Sequence, residues 1–293
     1  MFRAALRLAR PAALLAVAVM VAACVGGAGA AGPTPSPEPE DPDKVIFRVS
    51  WDGGFVTPEM LLGRLPVIAV YADGRVITLG PVPAIYPGPF MPNLQEQTLS
   101  PDALDSLIEL AREKGLLKDV RYDFPGIADA ADTVLEINLD GESYRLSAYA
   151  LAEAVDGGVA PAIEVPPADV AGRAAMREFI DALTQIPADD FVDQSHDYDY
   201  EALRLYVTDA VIVDDSELPG EQPPIAWPLG DLATAGEPVE NSPVGARCLV
   251  VEGDELATLK PLLQGANQLS VFESEGELYS LIPRPLYPDE SGC

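Results

Sequence analysis

Side chains able to do chemistry concentrate in one run, Asp189-Asp190-Phe191-Val192-Asp193-Gln194-Ser195-His196-Asp197-Tyr198-Asp199-Tyr200-Glu201. Calcium is held by several oxygen ligands, and Asp193, Asp197, Asp199 and Glu201 could offer carboxylates from this single loop. The alternation lacks the glycine and the terminal Glu spacing of an EF-hand. The competing reading is a solvated acidic linker, in which like charges repel and stay hydrated. His196 is the single histidine of the chain. A Ser-His-Asp or Cys-His arrangement would have to use it, and a zinc site built on several histidines is excluded within one subunit. Inside so acidic a run, His196 is expected to be exposed rather than catalytic. Tyr198 and Tyr200 are expected either to anchor a partner at the surface or to pack at a lobe edge.

The sequence carries no P-loop, no Gly-x-Ser-x-Gly elbow, no His-Glu-x-x-His and no Cys-x-x-Cys, so none of the chemistries those motifs signal is indicated. Paired carboxylates stay open as catalysts, because two acids need no fixed spacing in sequence. Charge narrows the partners. With 47 Asp and Glu against 18 Lys and Arg, the formal charge is −29. A phosphate backbone would be repelled, and nucleic acid is excluded as a partner recognised by charge.

The N-terminal segment carries a different signal. Arg3, Arg7 and Arg10 precede an uncharged run from Ala12 to Ala23, the order of an export signal and too short a run to span a bilayer comfortably. It closes on Val21-Ala22-Ala23-Cys24, and here the chain resembles bacterial lipoproteins. Their lipobox ends in Leu or Val, two small residues and a Cys that is acylated and becomes the mature N-terminus. The resemblance covers the first 24 residues and implies cleavage of residues 1–23, palmitate-type acylation of Cys24 and anchoring on the extracytoplasmic face of the cell membrane. Two other readings stand beside it: ordinary cleavage at Ala28-Gly29-Ala30, or an uncleaved anchor from Pro11 to Pro37. Residues 24–43, with Pro33-Thr34-Pro35-Ser36-Pro37-Glu38-Pro39-Glu40, are too polar and proline-rich to bury a core and are expected to be a tether. With Cys24 acylated in an exported, oxidising setting, Cys248 and Cys293 remain, and the resemblance thereby implies a disulfide between them.

The folded part must position the acidic run. Lys44-Val45-Ile46-Phe47-Arg48-Val49-Ser50 reads as a strand, and Asp73-Gly74, Asp140-Gly141 and Glu275-Gly276 separate alternating apolar runs as hairpin turns. Ser100 can cap a helix carrying Leu104, Leu107, Ile108 and Ala111 up to Gly115, and a second helix over 169–184 presents Met176, Phe179, Ile180 and Leu183. Further strands are expected over 204–213 and 247–251. Asp254 can cap a helix carrying Leu256, Leu259 and Leu263, with Pro261 expected to kink it or push back its start. These elements predict an α+β protein of largely antiparallel sheet with about three helices. The expected division is an N-terminal lobe over 44–187, an acidic linker over 188–203 and a C-terminal lobe over 204–293. The functional expectation is a membrane-anchored lipoprotein acting as a noncatalytic binding or envelope-associated module for a protein or small-molecule ligand. The alternatives are a carboxylate-based hydrolase acting on envelope material and the solute-binding receptor of a transporter. No cofactor is implied beyond the calcium of the acidic run.

Overall fold

A computed structural model describes residues 41–152, 165–211 and 222–293. The leader, Cys24 and nearly all of the expected tether lie outside the described residues. Residues Glu40–Cys293 form one compact unit, and its architecture is α+β.

The first sheet contains β1 (Val45–Gly53), β2 (Ile68–Tyr71), β3 (Arg75–Leu79), β4 (Leu94–Thr98), β5 (Val120–Tyr122), β6 (Ala131–Leu139), β7 (Glu142–Tyr149) and β8 (His196–Asp197), in the order β5-β7-β6-β1-β2-β3-β4-β8. Every pairing is antiparallel except β5 with β7. The second sheet contains β9 (Ala202–Asp209), β10 (Ile225–Ala226), β11 (Glu237–Pro238), β12 (Arg247–Glu252), β13 (Phe272–Ser274) and β14 (Glu277–Pro285), in the order β10-β13-β14-β9-β12-β11. All three expected hairpins turn where the sequence indicates, β2 and β3 pairing around Asp73-Gly74 with Gly74 at φ 90°. Asp140 and Gly141 have φ of 55° and 81°, and Glu275 and Gly276 have 55° and 86°. Both pairs hold the two positive φ values of the tight turn whose twist matches the flanking strands.

Four α-helices lie among the described residues: α1 (Pro58–Leu62), α2 (Pro101–Glu113), α3 (Pro167–Thr184) and α4 (Gly253–Gln264). The Ser100 side chain accepts from the Ala103 N–H at 3.2 Å, so α2 starts at the expected cap. The short α1 was not expected, because five residues show too little periodicity to announce a helix. Asp254 does not cap α4 but lies in its first turn, after Glu252 at the cap position. Pro261 sits inside α4 without displacing its start.

A bulge in β1 divides the core. Register shifts between Val45 and Phe47, so Val45 shares one face of the first sheet with Ala69, Tyr71 and Ile77, while Phe47 and Val49 point to the other. The face with Phe47 packs on α2 and α3, where Phe47 meets Phe179 edge-on at 5.1 Å. The face with Tyr71 packs against Tyr198 and Tyr287. The second sheet buries Leu205, Phe272 and Leu281 against Leu256, Leu259 and Leu263 of α4.

The segment expected to be an acidic linker is part of the first sheet. Thr98 donates from its backbone N–H and hydroxyl to Asp193 at 2.7 and 2.9 Å. Gln95 donates to Asp197 at 2.7 Å, and β8 adds to β4 through Glu96 and His196. Asp193, Asp197 and His196 stay exposed, as the charge pattern indicated, and the polar edge of β4 supplies the partners that fix the run in place.

Candidate functional site

β8 and the residues after it form one wall of a cleft of about 900 Å³. The first sheet contributes Arg75 on β3 and Glu96 on β4, and the end of the acidic run contributes Tyr198 to Ala202. Glu252 and residues of the N-terminal part of α4, including Ala257 and Lys260, add to the lining, and the C-terminal segment contributes Tyr287 and Glu290. Segments far apart in sequence thus meet because β9 carries the chain from the edge of the first sheet into the middle of the second.

Most of its charged groups have partners. Arg75 lies between Asp43 at 2.5 Å and Asp73 at 2.6 Å, with its guanidinium 5.2 Å from the centre of the Tyr71 ring. Lys260 is 2.6 Å from Asp199 and 4.5 Å from the centre of the Tyr200 ring. His196 Nε2 is 3.5 Å from Glu96 Oε1. Arg284 reaches Glu290 through two hydrogen bonds of 2.6 and 2.7 Å, and the Tyr287 N–H donates to the same carboxylate at 3.2 Å. Burial works against ionised Glu290, but these bonds and the nearby guanidinium outweigh it and hold the carboxyl below its ordinary range. Burial raises the Tyr198 and Tyr200 hydroxyls, with Glu96 adding to the first and Asp199 to the second.

The four residues expected to bind calcium do not converge. Asp193 is engaged by Thr98, Asp197 by Gln95, Asp199 by Lys260, and Glu201 faces the cleft. The Thr98 N–H, ahead of its hydroxyl, holds the Asp193 carboxyl below the usual range. Among the described residues no three His, Cys, Asp or Glu side chains are grouped to hold a metal ion, so this donor set does not fit the expected cation. The reason is in their partners, which lie on different elements: Thr98 and Gln95 on β4 hold Asp193 and Asp197, while Lys260 on α4 holds Asp199.

Cys248 on β12 is disulfide-bonded to Cys293, with Cα atoms 5.9 Å apart. The bond fixes the end of the segment that supplies Tyr287 and Glu290 to the cleft. Sequence reading did not find Arg75, Glu96, Glu252, Lys260 or Tyr287 as site residues. Each lies in an ordinary strand, helix or tail pattern, and the one local signal was the tyrosine–acid alternation of Tyr198 to Glu201.

A second surface is apolar. Met60 of α1, Val82, Phe90 and Met91 of the proline-rich loop, and Leu281 and Ile282 of β14 line a groove of about 730 Å³. Val82, Ile85 and Tyr86 on this loop are 65%, 64% and 61% exposed. Among the described residues, no helix is long and apolar enough to cross a membrane.

No family model, no curated protein and no solved structure matches this chain.

Proposed function

We propose that this protein is an extracytoplasmic lipoprotein, held to the membrane through acylated Cys24, whose folded unit is a noncatalytic binding module with the cleft as its ligand site. One observation carries the binding reading. Tyrosine rings and charged groups from both sheets, α4 and the C-terminal segment line a single concavity of about 900 Å³, the size of a small-molecule or side-chain pocket. Among the cleft carboxyls, Glu290 is unsuited to serve as a catalytic acid. A carboxylate hydrolase needs one acid kept protonated near neutral pH, whereas Arg284 keeps this cleft carboxyl ionised.

Two experiments test the proposal. Cys24→Ala should abolish incorporation of labelled palmitate and release the protein from membranes; full labelling of the variant would remove the anchor. Ala257 is exposed on the cleft wall, so Ala257→Trp fills space without disturbing the core. Fractionated envelope extract should raise the melting temperature of the native chain and leave the variant unmoved. An equal shift in both would take the cleft out of the reading. Hydrolysis of envelope material that disappears in Glu201→Gln would replace binding with carboxylate catalysis.

A further inference from the structure

Resting on the reading of this cleft as a ligand site, we propose that it recognises an organic cation, a primary ammonium or guanidinium group carried on a small molecule or on a polypeptide side chain. Three observations lead there. The lining carboxylates are Asp43, Glu96, Asp199, Glu201, Glu252 and Glu290, against the permanent cations Arg75 and Lys260. Arg75, Lys260 and Arg284 engage Asp43, Asp199 and Glu290. Glu201 and Glu252 have no ion pair or side-chain hydrogen bond among the described residues. Glu252 pairs with Ala202, the residue after Glu201, where β12 ends and β9 begins, and both carboxylates belong to the cleft lining. Unpaired carboxylates in the lining of one cleft are the groups a cation would engage.

The second observation is that the cleft already seats an ammonium. Lys260 is held by a carboxylate and an aromatic face together, Asp199 and the Tyr200 ring, the combination that favours organic cations. Tyr198 extends the aromatic wall. A bare metal ion would gain little from these rings, and the acids are not grouped to coordinate one.

The third observation is independent of the acids. Tyr287 lines the same cleft, is 1% exposed, and its buried hydroxyl has no hydrogen-bond partner. Buried polar groups are nearly always satisfied. An N–H donor seated in the cleft supplies what the protein leaves unmade.

The test uses the full exported chain in detergent, titrated calorimetrically at low ionic strength with 1,5-diaminopentane and, separately, with acetyl-Gly-Lys-Gly-amide. Saturable binding is expected. Glu201→Gln with Glu252→Gln should weaken it tenfold or more, because hydrogen bonds to charged groups are lost. Tyr287→Phe removes a hydroxyl that the protein does not use, so it should keep or raise the melting temperature while lowering affinity several-fold. Glu59→Gln, in the apolar groove, should change neither. Tighter binding of the diamine assigns the site to free amines, and tighter binding of the peptide assigns it to side chains. Equal affinity in the native chain and the Gln double variant, or equal binding of the peptide with its Lys acetylated, overturns the proposal as diffuse charge attraction. Absence of binding by either probe overturns the cation chemistry alone, since the Ala257→Trp comparison judges the cleft separately.

Discussion

Glu290 links stability to the cleft. Its side chain is 17% exposed and that of Arg284 is 11% exposed, so the pair is largely withdrawn from water. Removing one partner of such a pair leaves the other charge uncompensated and costs about 3 kcal/mol or more. We therefore expect Glu290→Gln to lower unfolding free energy by about 3 kcal/mol near neutral pH, read by urea denaturation. The pH dependence has a definite sign. The folded carboxyl is held below its ordinary value of 4.5, so the unfolded chain binds the proton first on acidification. The stabilisation is complete above pH 4.5 and is lost as pH falls through the lower folded value. The difference between native and variant proteins should shrink over that acidic window; a constant difference down to complete protonation would show that Glu290 acts through packing alone. Nothing in its local sequence, Pro288-Asp289-Glu290-Ser291, announces this pairing, which depends on Arg284 folding back beside it.

At the scale of elements, the sequence was most legible where local and tertiary preferences agree. The hairpins around Gly141 and Gly276 combine alternating apolar residues with turn chemistry, and α2 combines a cap, a proline in its first turn and an apolar face. The acidic run was legible in composition but not in placement. Its charges indicated hydration, which its exposed acids keep, but its position depends on Gln95 and Thr98 about a hundred residues earlier, too distant for any local pattern to encode. Asp193→Ala tests that placement, because it removes the acceptor of two Thr98 bonds. The carboxylate is solvent-exposed, so the cost in global stability should stay near 1 kcal/mol. Local opening should change more: amide exchange at Thr98 and Val192 is expected to accelerate at least tenfold while β2 stays protected. Unaltered exchange at both amides would mean that β8 pairing holds the segment without Asp193. The exposed proline-rich loop gives a contrasting expectation. Val82→Asp and Ile85→Asp touch no core and should shift stability by less than about 0.5 kcal/mol in thermal unfolding.

In the whole molecule, the C-terminal segment is the tie between the sheets. Asp289 accepts from Arg48 at 2.6 Å and from the Tyr71 hydroxyl at 2.9 Å on the first sheet, while Glu290 holds Arg284 and Cys293 is bonded to Cys248 on the second. Tyr287 is buried between these attachments against Tyr71, Ile77 and Leu94. The segment read in sequence as an extended proline-rich tail that one disulfide would pin. Its contacts with β1 and β2 were invisible because they join residues more than two hundred positions apart. This arrangement separates two contributions. The cysteines are 45 residues apart, and closing such a loop stabilises by about 4 kcal/mol in the chain-entropy view, acting on the unfolded chain. The Asp289, Glu290 and Tyr287 contacts act on the folded one. Replacing both cysteines by Ser should therefore lower unfolding free energy by up to about 4 kcal/mol while leaving the cleft formed, with diamine affinity within two-fold of native. Deleting residues 287–293 removes both contributions. It should cost more stability than the cysteine variant and abolish diamine binding, because Tyr287 and Glu290 leave with the segment. If the double Ser variant loses binding as completely as the deletion, the covalent bond alone seats the tail, and the ion pairs to Arg48 and Arg284 do not suffice to join the two sheets.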